Sequence, residues 1–199
     1  MEYIELSLEN LAKVSREFAE KVAADYQPDL VVFIAKGGYI IGRSFSAYFA
    51  CPLVSVTASR QGGRFKEWLH PLLRLLPEPV KLYLRKREVA STFHQRQSER
   101  LIVQNFLPER FAAKRILLLD DSVDTGATAQ AAWRAMAKLY PSAHVKFAAL
   151  NVFSKSGAVF AVDYYLYRDT ILKLPGSVDS REYKEFLRLY EMFIESADQ

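Results

Sequence analysis

The sequence lacks most features that would place it outside the class of ordinary globular proteins. It has a single cysteine, Cys51, so no internal disulfide can form, and such sparse cysteine usage is typical of the cytosol. No apolar run approaches the roughly 20 residues that a membrane-spanning helix needs. The first residues also lack the charged and apolar blocks of a signal peptide. We therefore expect a cytoplasmic protein that makes no membrane contact.

The sequence also has only a small excess of positive over negative charge, and it has few histidines. The net charge of +4 over 199 residues suits an anionic small molecule, but no basic arm or DNA-binding motif supports nucleic acid as a partner. The three histidines have unrelated spacings and no cysteine or acid at ligand distance, which argues against a zinc site. The length is ample for one core and short for two. We expect a single domain over residues 1–199.

The chain does have a regular alternation of strand-like and helix-like segments. Apolar periodicity predicts helices at 8–26, 39–50, 127–138 and 181–195, and strands at 30–35, 53–57, 80–84, 116–119 and 144–152. The strand–helix–strand opening implies a parallel sheet with right-handed crossovers. The predicted fold class is α/β, with a central mostly parallel sheet flanked by helices.

The stretch 115–128 is the part of the sequence that carries chemistry. Asp120 and Asp121 follow the buried strand predicted at 116–119, at the edge where open α/β sheets bind ligands. A loop of small residues at 124–128 then enters a helix, and the free backbone N–H groups of such a loop attract phosphate. Carboxylates repel phosphate but accept hydrogen bonds from hydroxyls. One ligand that satisfies both groups is a sugar phosphate.

Residues 116–128 resemble the phosphoribosyl-pyrophosphate signature of type I phosphoribosyltransferases: four apolar residues, two acids and a loop ending Asp-Thr-Gly-x-Thr. The resemblance implies that Asp120 and Asp121 hold the ribose 2′- and 3′-hydroxyls. It also implies that Asp124 is the general base that takes a proton from the incoming base. The loop implied to bind the 5′-phosphate consists of Asp124, Thr125, Gly126, Ala127 and Thr128.

A second turn, Lys36–Gly37–Gly38, follows the first buried strand. The resemblance implies a pyrophosphate loop here, in which glycine lets the backbone approach the phosphates. An alternative is a P-loop nucleoside triphosphatase, because residues 37–44 fit the Walker A spacing apart from Arg43 in place of lysine. Residues 39–41 are bulky for a loop that wraps phosphates, which favours the first interpretation. A plain glycine turn is the remaining alternative.

Residues from about 153 to 178 resemble the hood that covers the base in bacterial xanthine–guanine enzymes, with departures at the base-reading positions. Phe153 stands where those enzymes have a lysine that reads the base carbonyl, and Lys155 is the nearest lysine. Ile171 stands where they have a stacking tryptophan, which leaves Tyr164, Tyr165 and Tyr167 as aromatic candidates. We therefore expect guanine, xanthine and hypoxanthine to be poor acceptors.

The resemblance implies a magnesium-dependent enzyme that transfers 5-phosphoribose from phosphoribosyl pyrophosphate to a nitrogenous base and acts as a homodimer. Mg²⁺ would be held mainly through the ligand and water, with Asp120 and Asp121 as candidate protein ligands. Two non-catalytic alternatives are a regulator that binds phosphoribosyl pyrophosphate and a degenerate interaction module. Residues 60–79 look like an insertion that caps the core or forms a dimer contact. The polar stretch 86–100 matches a flexible lid that shields the sugar from water.

Overall fold

The computed structural model describes residues 2–59, 101–105, 112–154 and 159–197. The predicted fold class is confirmed, because a mostly parallel six-stranded sheet is covered by helices on both faces. The predictions for the insertion at 60–79, the strand at 80–84, the lid at 86–100 and Lys155 lie outside the described residues. Within the described ranges, no helix is long and apolar enough to cross a membrane.

Four helices and eight strands make up the described part of the chain. The helices are α1 (Leu8–Ala23), α2 (Tyr39–Phe49), α3 (Ala127–Leu139) and α4 (Tyr183–Ala197). The strands are β1 (Tyr3–Glu5), β2 (Leu30–Ile34), β3 (Leu53–Ser59), β4 (Leu101–Asn105), β5 (Arg115–Val123), β6 (His144–Val152), β7 (Tyr164–Arg168) and β8 (Ile171–Lys173). The main sheet has the order β4-β3-β2-β5-β6-β7, and only the β3–β4 pair is antiparallel.

Strand β2 shows why the central strands are apolar throughout. Val31 and Phe33 pack into one core with residues of α1, α2 and α4, whereas Val32 and Ile34 pack into a second core with residues of α3. All five residues of β2 are buried. A strand covered on both faces has no solvent side on which polar residues could alternate, and its continuous apolar run follows from that.

The structure adds three strands that periodicity did not predict, β1, β4 and β8, and assigns a further strand, β7, to a segment of the predicted hood. The three-residue β1 pairs in parallel with β8, and the two form a small separate sheet. Strand β4 is an antiparallel edge strand beside β3. Strand β7, predicted to be part of the hood, is the sixth strand of the main sheet. The three-residue strands β1 and β8 are too short for a periodic pattern to identify.

Candidate active site

The two acids of the signature lie within a strand rather than after it. β5 continues through Val123 because it keeps its parallel pairing with β6 as far as Val123 and Val152. The prediction that the strand ends before Asp120 is therefore wrong by four residues at that end. Asp120 is only 8% exposed and Asp121 is half-buried. Both acidic residues therefore lie near the carboxyl end of β5.

The electrostatics of this acid pair are unfavourable when both groups are ionised. The Asp121 N–H donates to Oδ1 of Asp120 at 2.9 Å, and the two carboxyl groups also interact directly with each other. Burial raises the pKa of Asp120 well above its usual range, and the negative charge of Asp121 raises it further. Burial also raises the pKa of Asp121. A ligand that donates hydrogen bonds, or a cation, would favour the ionised form of the pair.

The Lys36–Gly38 turn lies directly against Asp121. A methyl group at Gly37 would lie 2.3 Å from Oδ2 of Asp121, so no side chain fits there without displacing the carboxylate. A methyl group at Gly38 would lie 3.1 Å from the Leu119 carbonyl oxygen of β5. The Ala35–Lys36 peptide bond within this turn is cis. The two predicted ligand-binding segments, which are far apart in sequence, therefore meet at one place.

The same turn decides against the P-loop alternative. Helix α2 begins at Tyr39, and Tyr39, Ile40 and Ile41 are all buried in the core. A Walker A motif needs these positions in a loop that wraps around phosphate groups. Because they form the first turn of a packed helix instead, the P-loop interpretation is wrong.

The third segment of the site is the turn from β5 into α3. Gly126 has a φ of 76° and occupies the N-cap position of α3, where no side chain accepts a capping hydrogen bond. Thr125 Oγ1 accepts only a long hydrogen bond, of 3.4 Å, from the Ala127 N–H. Asp124 is exposed on this turn, and Thr128 lies in the first turn of the helix. A helix N-terminus with this geometry suits an anion such as a phosphate group.

Two of the predicted hood residues are buried. Phe153 is 9% exposed, and its N–H donates to the Val123 carbonyl oxygen at 3.1 Å, so it stays beside the end of β5. Ile171 is 5% exposed, because β8 pairs with β1 and the Ile171 N–H donates to the Glu2 carbonyl oxygen. Ile171 therefore presents little surface on which a base could stack.

Three predicted stacking tyrosines, Tyr164, Tyr165 and Tyr167, lie in β7, and the side chains of Tyr164 and Tyr165 contact different partners. The hydroxyl of Tyr164 bonds to Asp25, and it accepts a hydrogen bond from Lys146 Nζ at 2.6 Å. These partners lie near the amino ends of the strands, so the structure does not bring Tyr164 to the acid pair. Tyr165 is 41% exposed, and the Arg168 guanidinium lies over its ring at 4.8 Å from the centroid.

Asn151 is a polar residue of this region that the sequence interpretation passed over. It is 1% exposed, and its Oδ1 accepts from the Thr170 N–H at 3.2 Å, which fixes the orientation of the amide. Its Nδ2 has no hydrogen-bond partner in the described part of the chain. A buried donor without a partner costs about 1–3 kcal/mol, so such positions often accommodate water or a ligand atom. The signal in the sequence is one amide side chain within the otherwise apolar run 147–152.

The acid pair also determines which metal the site suits. Among the described residues, no group of three or more His, Cys, Asp or Glu side chains is placed to hold a metal ion. Mg²⁺ needs no such cage, since it keeps several waters and uses one or two carboxylates together with phosphate oxygens. Asp120 and Asp121 supply two carboxylates whose mutual repulsion a divalent cation would relieve. The residues present therefore fit magnesium better than zinc.

A sequence profile assigns this chain to a known family. The profile of the phosphoribosyl transferase domain matches residues 6–171, which include the Lys36–Gly38 turn, the acid pair and the N-terminus of α3. No curated protein matches the sequence.

Solved structures of similar fold include three bacterial and archaeal proteins. A purine phosphoribosyltransferase from Pyrococcus horikoshii is 19% identical with a TM-score of 0.56, and the match covers 88% of this chain and 93% of that one. A xanthine-guanine-hypoxanthine phosphoribosyltransferase from Helicobacter pylori is 16% identical with a TM-score of 0.62, and coverage is 92% and 97%. A hypothetical protein from Neisseria gonorrhoeae, solved with bound ppGpp, is 20% identical with a TM-score of 0.61, and coverage is 96% and 97%. The profile match extends over most of the sequence, and the chain belongs to the phosphoribosyl transferase family.

Proposed function

We propose that this protein transfers 5-phosphoribose from phosphoribosyl pyrophosphate to a nitrogenous base and releases pyrophosphate. The observation that carries the proposal is the close approach of Gly37 to the Asp121 carboxylate. Asp121 in turn precedes the N-terminus of α3 by only a few residues. The Lys36–Gly38 turn, the acid pair and the turn into α3 therefore lie at one end of the sheet. The glycine turn and the N-terminus of α3 as anion sites, together with the acid pair as a hydroxyl acceptor, would match the pyrophosphate, 5′-phosphate and ribose of this donor.

Each group of the donor has a counterpart with suitable chemistry. Ionised Asp120 and Asp121 are pure hydrogen-bond acceptors and would bind the ribose 2′- and 3′-hydroxyls. The backbone N–H groups from Thr125 to Thr128 would bind the 5′-phosphate at the start of α3. Gly37 leaves room for the pyrophosphate to approach the backbone of the turn.

In the proposed reaction a nitrogen lone pair of the base forms a bond to the anomeric carbon of the ribose. The bond from that carbon to the pyrophosphate oxygen breaks, and the pyrophosphate leaves with the electron pair. Asp124, exposed on the turn beside the phosphate site, accepts the proton that the base nitrogen loses. Backbone N–H groups of the Lys36–Gly38 turn stabilise the charge that develops on the leaving group.

Four further properties belong to the proposal. Mg²⁺, bound by donor oxygens with Asp120 and Asp121 as its protein ligands, would neutralise charge on the pyrophosphate. The homodimer, the cytoplasmic location and the single-domain organisation remain predictions from the sequence.

Titration of the purified protein with phosphoribosyl pyrophosphate and MgCl₂ in a calorimeter tests the donor site. We expect saturable binding that is lost when Asp120 and Asp121 are both changed to alanine, because charge-assisted hydrogen bonds contribute about 1.5–3 kcal/mol each. Asp25→Ala is the matched control, since it truncates an acid that lies near the other end of the strands. Equal affinity in the wild type and the double variant would refute the assignment.

Pyrophosphate release across a panel of bases then separates an enzyme from a regulator. We expect release with at least one base, because Asp124 is exposed beside the proposed phosphate site. Guanine, xanthine and hypoxanthine should be poor acceptors, since Phe153 and Ile171 are buried and apolar. A kcat/KM of about 10⁴ M⁻¹s⁻¹ or more for any of the three would contradict that expectation. Donor binding without release for every base would indicate the regulator.

A further inference from the structure

The C-terminal helix α4 lies immediately behind the Lys36–Gly38 turn. It comprises Tyr183–Ala197 and lies beyond residue 171, where the match to the family profile ends. Tyr190 of this helix is 8% exposed, and the ammonium group of Lys36 lies 5.7 Å from the centroid of its ring. The charged end of Lys36 thus faces an aromatic ring of α4.

The position of Gly37 shows that the other side of the turn faces the acid pair. A side chain at Gly37 would point into the Asp121 carboxylate, so Gly37 faces the acid pair. Lys36 and Gly37 are neighbours, yet one reaches towards α4 and the other towards the proposed donor site. The side chain of Lys36 is therefore placed to hold the turn from behind.

Tyr39, the first residue of α2, ties the same turn to α4 a second time. Its hydroxyl donates to the Leu189 carbonyl oxygen of α4 at 3.0 Å. Its ring lies 5.4 Å from the ring of Tyr190 and 5.3 Å from that of Phe193, measured between centroids. The turn is consequently attached to α4 through Lys36, its first residue, and through Tyr39, the residue that follows it.

We propose that α4 orients the pyrophosphate turn, with Tyr190 as a positioning residue that anchors the Lys36 ammonium. This proposal rests on the proposed function. The backbone N–H groups of the turn bind the pyrophosphate, whereas the ammonium group of Lys36 does not contact it.

The test is a double-mutant cycle of Lys36→Met and Tyr190→Leu, with the donor dissociation constant measured by calorimetry at saturating Mg²⁺. Each single variant should raise the constant by about two- to fivefold, the range of a cation–π contact at a partly exposed site. The double variant should bind the donor no more weakly than the weaker-binding single variant, because both changes break the same contact. Tyr190→Phe keeps the ring and should bind the donor like the wild type.

Three results would overturn the proposal. One is a loss of more than tenfold in Lys36→Met with no change in Tyr190→Leu, which would make Lys36 a direct ligand. The second is multiplication of the two effects in the double variant, as expected if Tyr190 only supports the core. The third is Tyr190→Phe behaving like Tyr190→Leu.

A measurement without the donor separates this inference from the proposed function. In NMR spectra of the ligand-free protein, the ε-methylene protons of Lys36 should be shifted upfield by the Tyr190 ring, and Tyr190→Phe should keep the shift. An unshifted signal in the wild type would disprove the anchor even if Tyr190→Leu did not fold. Failure of the wild type to bind phosphoribosyl pyrophosphate would instead remove the proposed function and leave the NMR result to decide the anchor.

Discussion

The two ends of the central sheet hold their acidic side chains in opposite electrostatic environments. Near the amino ends of the strands, Asp25 accepts from Lys146 Nζ at 2.7 Å and also bonds to the Tyr164 hydroxyl, and these bonds lower the pKa of Asp25. At the carboxyl end, Asp120 is buried beside Asp121, and burial together with that charge raises the pKa of Asp120. The first acid has a cation as its partner, and the second has another acid.

This difference separates a contact that stabilises the fold from one that serves a ligand. Lys146 also lies over the rings of Tyr26 and Tyr164, so the amino-end cluster is complete without any other molecule. The acid pair becomes favourable only when hydroxyl donors or a cation reach it. Unfavourable electrostatics in a free protein are typical of sites where binding energy compensates the strain. The comparison therefore predicts that charge removal has opposite consequences at the two ends.

The largest expected effect at the carboxyl end concerns catalysis. Asp124→Asn keeps the shape of the side chain and removes the proposed base, so turnover should fall by roughly 10²–10⁴-fold. Donor affinity should hold, because the turn around Gly126 keeps its backbone geometry. Steady-state kinetics with the best base, together with calorimetry for the donor, measure both quantities. Unchanged turnover would show that Asp124 has a structural role.

A smaller effect is expected from filling the contact between the glycine turn and the acid pair. Gly37→Ala would place a methyl group 2.3 Å from the Asp121 carboxylate, so the acid or the turn must move. Such overpacking costs about 1–3 kcal/mol, which corresponds to a loss of roughly 5- to 150-fold in donor affinity if it falls on the bound state. Gly176→Ala is the matched control, because its methyl group would meet the Phe186 ring at 3.0 Å instead. Equal losses of donor affinity in both variants would refute the contact.

This contact also shows what the sequence could and could not predict. The motif at 116–128 identified the acid pair and the phosphate turn, since the residue types and their spacing are local. The meeting of Gly37 with Asp121 depends on β2 pairing directly with β5, and strands that are not consecutive carry no local signal of their pairing. The position of Lys36 depends likewise on α4 packing across the turn.

Strand boundaries were predictable where turn residues enclose an apolar run. β6 covers 144–152 as predicted, because Pro141 and Ser142 form a turn before it. β5 exceeds its predicted end because pairing with β6 keeps Asp120, Asp121 and Ser122 extended despite their polarity. Tertiary pairing outweighs the local preference of these residues at the very place where the chemistry lies.

The next expected effect is a gain in stability at the carboxyl end. Asp120→Asn removes the buried charge, while its amide oxygen can still accept from the Asp121 N–H. Because the folded pKa of Asp120 lies above the unfolded value, the wild type loses stability as the pH rises through the raised pKa. The variant should therefore melt about 2–8 °C higher near pH 7, and the difference should vanish towards acidic pH. Thermal melts between pH 4 and 8 measure this, and a lower melting temperature at pH 7 would contradict it.

The smallest expected effect is a loss of stability at the amino end, where the sign is opposite. The folded pKa of Asp25 lies below its unfolded value, so its contribution is present above the unfolded pKa and is lost as the pH falls through the folded one. Asp25 is exposed, and an exposed ion pair contributes little, so Asp25→Asn should lower the melting temperature by only about 2 °C or less near pH 7. This difference too should disappear in acid, and 1 M NaCl should shrink it through screening. Donor affinity should not change. If Asp25→Asn and Asp120→Asn shift the melting temperature in the same direction at pH 7, the two ends of the sheet do not differ in the way the structure indicates.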